Sequence, residues 1–206
     1  LNMLRESFRQ GVTCIAATPH FYADHTSPDE FFEKRYLSWK EVAPHLDSDM
    51  PRIKLGAEVH YYEGLCRMDN LKKLCIESTN LLLLEMPILT WSTRMLDMLA
   101  DLNGKQGVRI LLAHFERYLP YQPKTTWDNL HQHGILLQAN AEYFTRRLTQ
   151  RAAIKAMKNG EIYLLGSDCH NMNARKPNIG DAADIIKRKL GDCVLDSLNC
   201  QGWEAF

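Results

Sequence analysis

Leu81-Leu82-Leu83-Leu84-Glu85 is a run of four leucines closed by a carboxylate. Its length and its flanking polar residues predict a short β-strand rather than a helix. A strand that is apolar at every position has both faces covered, as strands of parallel sheets do. Two more runs in the chain follow this pattern. Val108 to Ala113 is apolar at five of six positions and ends in His114. Ile162-Tyr163-Leu164-Leu165 runs into Gly166-Ser167-Asp168-Cys169-His170-Asn171.

Outward from these runs, the spacing predicts six strands alternating with helices. A helix over Leu1 to Gln10 presents Leu1, Leu4 and Phe8, and Gly11 closes it. Val12 to Ala17 reads as a strand that Thr18-Pro19-His20 leaves, because Pro cannot continue a central ladder. Ser27-Pro28-Asp29-Glu30 carries a capping box with Pro at the first helical position, ahead of a stripe of Phe32, Tyr36, Trp39 and Ala43. Ile53 to Val59 reads as one strand containing Gly56-Ala57-Glu58. Trp91, Met95, Met98, Leu99 and Leu102 form a helical stripe stopped by Asn103-Gly104. Further helices are expected at 126–133, 147–158, 181–190 and 192–198, with a strand at 135–139. Alternation of this kind gives an α/β fold with a parallel sheet covered by helices. No glycine-rich phosphate loop follows any strand. Such a sheet is either open and doubly wound or closed into a barrel; potential ligands follow nearly every strand, which favours the barrel, where sites assemble from the ends of different strands.

The totals bound the function class. The 206 residues suffice for one domain, and no linker or repeat divides residues 1–206. Lys plus Arg equals Asp plus Glu at 25 each, which favours neither a nucleic-acid partner nor an anionic membrane. No apolar stretch reaches the length of a membrane span. Cys14, Cys66, Cys75, Cys169, Cys193 and Cys200 form no regular framework, so reduced thiols in the cytoplasm are expected.

His20, Glu58, Glu85, His114, Asp168 and His170 sit at five strand ends. Mixed imidazole and carboxylate donors suit two or three divalent ions such as Mn, Zn or Fe. His60, two residues beyond Glu58, is a weaker candidate. Arg117 and Arg175 lie beside the set, and a guanidinium offers a fork for phosphate oxygens. Metals with arginines point to phosphate ester hydrolysis, with metal-bound hydroxide attacking phosphorus.

Gly56-Ala57-Glu58, Ala113-His114-Phe115-Glu116-Arg117-Tyr118 and Ser167-Asp168-Cys169-His170-Asn171, with Arg175 and Pro177, resemble the bacterial metal-dependent tyrosine phosphatases. These belong to the polymerase and histidinol phosphatase (PHP) superfamily and serve capsular and exopolysaccharide synthesis. The resemblance runs from Leu1 to about Leu198. It implies a distorted, TIM-like (β/α)7 barrel and a trinuclear metal centre often holding manganese. It further implies hydrolysis of phosphotyrosine on a bacterial tyrosine kinase, and a possible homo-oligomer. His20, Glu58, Glu85, His114, Asp168 and His170 match its metal positions, and Arg117 and Arg175 its phosphate-binding arginines. The family opens with a strand carrying Asp-x-His-x-His, and this text starts after that point. The expectation is therefore a chain lacking its first strand, with an incomplete centre and weak or no activity.

Three rivals stand beside this reading. Cys169 and Arg175 form a Cys-x5-Arg spacing, but the loop between them has no glycine to let amides converge on an anion. A related metal site would serve a small phosphate monoester or nucleic-acid ends. A degenerate, non-catalytic barrel would dock a kinase, with Tyr61, Tyr62, Trp91, Tyr118 and Tyr121 as an aromatic rim.

Overall fold

The computed structural model describes residues 1–205. In chain order the elements are α1 Asn2–Arg9, β1 Cys14–Ala17, β2 His20–Phe21, α2 Pro28–Val42, β3 Arg52–Leu55, β4 Glu58–His60, β5 Leu81–Glu85 and α3 Thr93–Leu102. Then come β6 Arg109–Leu112, α4 Lys124–Gln132, β7 Leu136–Asn140, α5 Ala141–Thr145, α6 Gln150–Lys158, β8 Leu164–Gly166, α7 Ile179–Leu190 and α8 Asp192–Ala205. The chain divides into two compact units. One, the central unit, comprises Ala16–His45 and Lys54–Leu136. The other, the C-terminal unit, comprises Leu1–Ile15, Leu46–Ile53 and the chain from Leu137 onward.

The central unit is built on the parallel strands β2, β4, β5 and β6 in that spatial order. The leucine run behaves as its composition demands: Leu81 to Leu84 are all buried, and only Glu85 reaches partial exposure. Leu84 sits opposite Leu112 of β6, so the apolar runs of neighbouring strands lie in register. α3 packs Leu99 and Leu102 with no exposure, and its N-cap Ser92 accepts from the Met95 amide. α2 starts as expected: the Ser27 side chain accepts from the Glu30 amide, and Glu30 accepts from the Ser27 amide. Its buried face is set by Phe31, whereas Tyr36 is 58% exposed, so the expected Phe32–Tyr36 stripe is rotated by about one position.

The strand expected over 53–59 is two strands, and so is the segment around Pro19. Pro19 has no N–H, so β1 ends before it and pairing resumes at His20. The neighbouring segment of the same chain breaks at the matching place, between β3 and β4. The Gly56 amide still bonds the Ala17 carbonyl at 2.9 Å, and the Glu58 amide bonds the Pro19 carbonyl at 3.0 Å. A Cβ on Gly56 would lie 3.0 Å from Thr18 Cγ2 and 3.3 Å from Ile76 Cα, so glycine suits this close approach and a larger residue would need its neighbours to shift. Two breaks turn the six expected strands into eight. His20, expected outside a strand, opens β2 opposite Glu58.

In the C-terminal unit β7 and β8 pair in parallel, with Asn140 opposite Gly166. Ala141 and Phe144 of α5, Ala153 of α6, and Ala182 and Ile186 of α7 are all fully buried. α5 is absent from the sequence expectations. α1 forms as expected, but Leu1 and Phe8 are exposed and Ser7 is its buried residue. Among the described residues, no helix is long and apolar enough to cross a membrane.

Candidate metal centre

Strand register brings four of the expected ligands together in the central unit. Glu58 and His60 are two apart on β4 and share one face. His20 is the register partner of Glu58, and Glu85 is that of His60. Ligand atoms of His20, Glu58 and Glu85 lie within 4.8 Å of one another. His114 follows β6 in a left-handed conformation, φ +34°, which is uncommon for a side chain with a Cβ. That turn sets His114 Nε2 at 3.0 Å from Glu58 Oε1 and 3.3 Å from Glu85 Oε1. The other Glu85 oxygen lies 3.3 Å from His60 Nδ1 and 4.0 Å from His20 Nδ1.

The electrostatics follow from burial. Glu58 is 8% exposed and His114 2%, so a carboxylate and an imidazole meet almost out of water, with the Glu85 carboxylate partly exposed beside them. The hydrogen bond from His114, with help from that of His60, holds the Glu85 carboxyl down to about 2 although burial opposes it. Burial alone pushes the His114 imidazole down, but its bonds to Glu58 and Glu85 outweigh this and raise it to about 9. The two carboxylates thus favour the protonated form of His114. The surroundings are built to hold positive charge, and the donors are oxygen and imidazole nitrogen, which fits a divalent metal.

Two residues complete this cluster that the sequence reading did not assign to it. Tyr118 is fully buried, and its hydroxyl lies 3.2 Å from His114 Nδ1 while accepting from the Met86 amide at 3.0 Å. Burial, with the charges of Glu85 and Glu58, raises its phenol far above the ordinary range. Tyr22 lies with its ring centroid 5.5 Å from that of His20 and 5.3 Å from that of His60. Of the expected aromatic rim, Trp91 and Tyr118 are buried, and Tyr121 is 43% exposed. Arg117 ends the single 3-10 turn Phe115–Arg117, and its charge opposes the His114 imidazolium.

The C-terminal unit holds the other expected residues. Asp168, at φ +49°, forms an ion pair with Arg175 through Oδ2. Asn140 Nδ2 donates to the same oxygen at 3.4 Å, and Gln138 Nε2 donates to Asn140 Oδ1 at 3.1 Å. His170 Nδ1 lies 3.0 Å from the Asp168 carbonyl oxygen and 3.7 Å from Oδ1. Gln138 and Asn140 are buried polar residues two apart on β7, a signal the sequence did carry in Leu137-Gln138-Ala139-Asn140. In the loop after Cys169, the amides of His170 and Asn171 bond the Arg175 carbonyl, and those of Asn173 and Arg175 bond Asn171 Oδ1. A thiolate cradle needs such amides turned toward an anion, and here they are spent within the loop.

The sequence family described as capsular polysaccharide synthesis, CpsB/CapC, matches residues 1–205. The chain belongs to this family. Similar curated CpsB/CapC-type relatives are named tyrosine-protein phosphatase CpsB. The one from Streptococcus pneumoniae is 25% identical over 201 residues, covering 92% of this chain and 82% of the relative. The one from Streptococcus agalactiae serotype V is 26% identical, covering 93% and 82%. Among solved structures, this chain resembles one from work on YwqE of Bacillus subtilis and CpsB of Streptococcus pneumoniae, described as metal-dependent tyrosine phosphatases. The TM-score is 0.79 at 20% identity, covering 96% of this chain and 82% of the other. That likeness places the α/β fold with its parallel strands among the folds of this family.

Proposed function

We propose that this chain is a metal-dependent protein tyrosine phosphatase of capsule or exopolysaccharide synthesis. The observation that carries the reading is the buried Glu58–His114–Glu85 contact with His20 beside it, in a chain whose family relatives bear that name. His20, Glu58, Glu85 and His114 would hold metal in the central unit, and Asp168 and His170 are further ligands in this proposal. Arg117 and Arg175 are proposed to grip phosphate by their planar forks. Arg175 pairs with Asp168, and a cation held by Asp168 would compete for that carboxylate and leave the guanidinium to phosphate. Bound divalent ions supply a nucleophile at neutral pH and neutralise charge on phosphorus. Glu85 stays ionised at any physiological pH, while His114 must give up a proton before Nε2 can donate to a metal. Manganese, a cytoplasmic setting, a cognate tyrosine kinase as substrate, a homo-oligomer, and a single domain with the family's seven-stranded barrel belong to the same proposal.

The test is hydrolysis of a phosphotyrosine peptide by the full chain with Mn²⁺, with and without chelator. Activity that needs the metal and survives Cys169→Ser supports the reading. Chelator-resistant activity abolished by Cys169→Ser would replace it with thiol chemistry. A preference for histidinol phosphate over the peptide would move the substrate to small monoesters. No hydrolysis of any of these by a folded, metal-loaded chain would leave a docking role.

A further inference from the structure

We propose that the Tyr118 hydroxyl is a positioning group for the metal centre, holding His114 by Nδ1 so that Nε2 faces the Glu58–Glu85 pair. The inference rests on the proposed metal site and adds a residue to it. Tyr118 is the register pin between two segments that each supply a ligand. The 3-10 turn after His114 places Tyr118 four residues on, with its amide bonded to the Phe115 carbonyl at 3.0 Å. From there the hydroxyl reaches back to His114 Nδ1 at 3.2 Å. The same oxygen accepts from the amide of Met86, the residue directly after Glu85, at 3.0 Å. The ring itself is locked: it is fully buried, and the Trp91 ring lies 5.0 Å away at 58°.

An imidazole can bind a metal through either nitrogen, and the choice is set by what the other nitrogen does. A neutral His114 with its proton on Nδ1 donates to the Tyr118 oxygen, whose second lone pair takes the Met86 N–H. Nε2 is then left with its lone pair toward Glu58 and Glu85, 3.0 and 3.3 Å away. Phenylalanine at 118 accepts neither bond. The His114 ring loses what fixes its orientation, and the backbone beside Glu85 loses its anchor. Partners of this kind alter metal affinity by about ten- to a hundredfold in other sites.

The experiment is Mn²⁺ binding to the full chain, followed by EPR of the free ion, for wild type, Tyr118→Phe and Trp91→Phe. Tyr118→Phe is expected to bind about ten- to a hundredfold more weakly with unchanged far-UV circular dichroism. Trp91→Phe, which alters the packing around the Tyr118 ring and leaves its hydroxyl, is expected to lower Tm and keep the affinity. Equal affinity in wild type and Tyr118→Phe, or equal losses in both variants, would overturn the proposal. A variant-free readout covers the case of an unfolded Tyr118→Phe. In ¹⁵N-histidine-labelled wild type loaded with Zn²⁺, His114 must show a protected Nδ1–H and a coordinated Nε2; coordination through Nδ1 overturns the proposal. A wild type that binds neither Mn²⁺ nor Zn²⁺ removes the phosphatase reading, and this inference with it.

Discussion

Metal binding should expel the His114 proton, and the structure sets the size of the effect. Without metal the imidazole is raised to about 9 by Glu58 and Glu85, against the opposing pull of burial. Its Nε2 is the atom that faces both carboxylates, so a metal and a proton compete for the same lone pair. At pH 7 the neutral form is about two units away, which costs on the order of 3 kcal/mol of metal affinity. The apparent Mn²⁺ affinity should therefore rise about tenfold per pH unit from pH 7 toward 9, then level off. Glu85, held near 2, contributes no proton over this range. The assay is calorimetric titration with Mn²⁺ at pH 8 in two buffers of different ionisation enthalpy. An ordinary imidazole, with a pKa of about 6.5, is already neutral there. Close to one proton should leave per site filled, and His114→Gln should abolish the release. Full occupancy with no proton released would refute the assignment of His114 as both the imidazolium of the metal-free protein and a ligand of the loaded one.

The same groups give the metal-free protein a two-sided pH profile. His114, raised from 6.5 to about 9, contributes stability that is complete below 6.5 and lost as pH rises through 9. Glu85, lowered from 4.5 to about 2, contributes stability present above 4.5 and lost as pH falls toward 2. Tm in chelator should peak between 4.5 and 6.5, and a Tm that keeps climbing to pH 9 would contradict the imidazolium. Ser27→Ala removes the α2 cap and should cost about 1 kcal/mol in urea unfolding without changing metal affinity. Gly166→Ala would put a Cβ 2.5 Å from Gln138 Nε2, so the buried Gln138 and Asn140, which lead to Asp168, must shift. A loss of about 1 to 3 kcal/mol is expected, and a neutral result would mean that Gln138 swings aside freely.

What the sequence made legible, and what it hid, divides along a physical line. Strand identity was visible where burial on both faces removes all polar positions, as in Leu81 to Leu84. The carboxylate that ends that run was visible for the converse reason, since a buried charge needs a compensating partner, and the partner is His114. The capping box at Ser27 was legible because both of its bonds are local. The breaks at Pro19 and Gly56 were not, because each depends on the other segment: Pro19 ends β1, and Gly56 is needed only because Thr18 and Ile76 pass so close. His60 carried a hint through its two-residue spacing from Glu58, but its contact with Glu85 exists only through the β4–β5 register. Tyr118 is the clearest case. As a letter after Arg117 it reads equally well as packing or as an aromatic rim residue. The role proposed for it rests on one oxygen atom that meets His114 from its own turn and Met86 from thirty-two residues earlier in the chain. Candidate ligands can be read from residue types at strand ends, whereas the groups proposed to aim them are chosen by tertiary register and leave no pattern of their own along the chain.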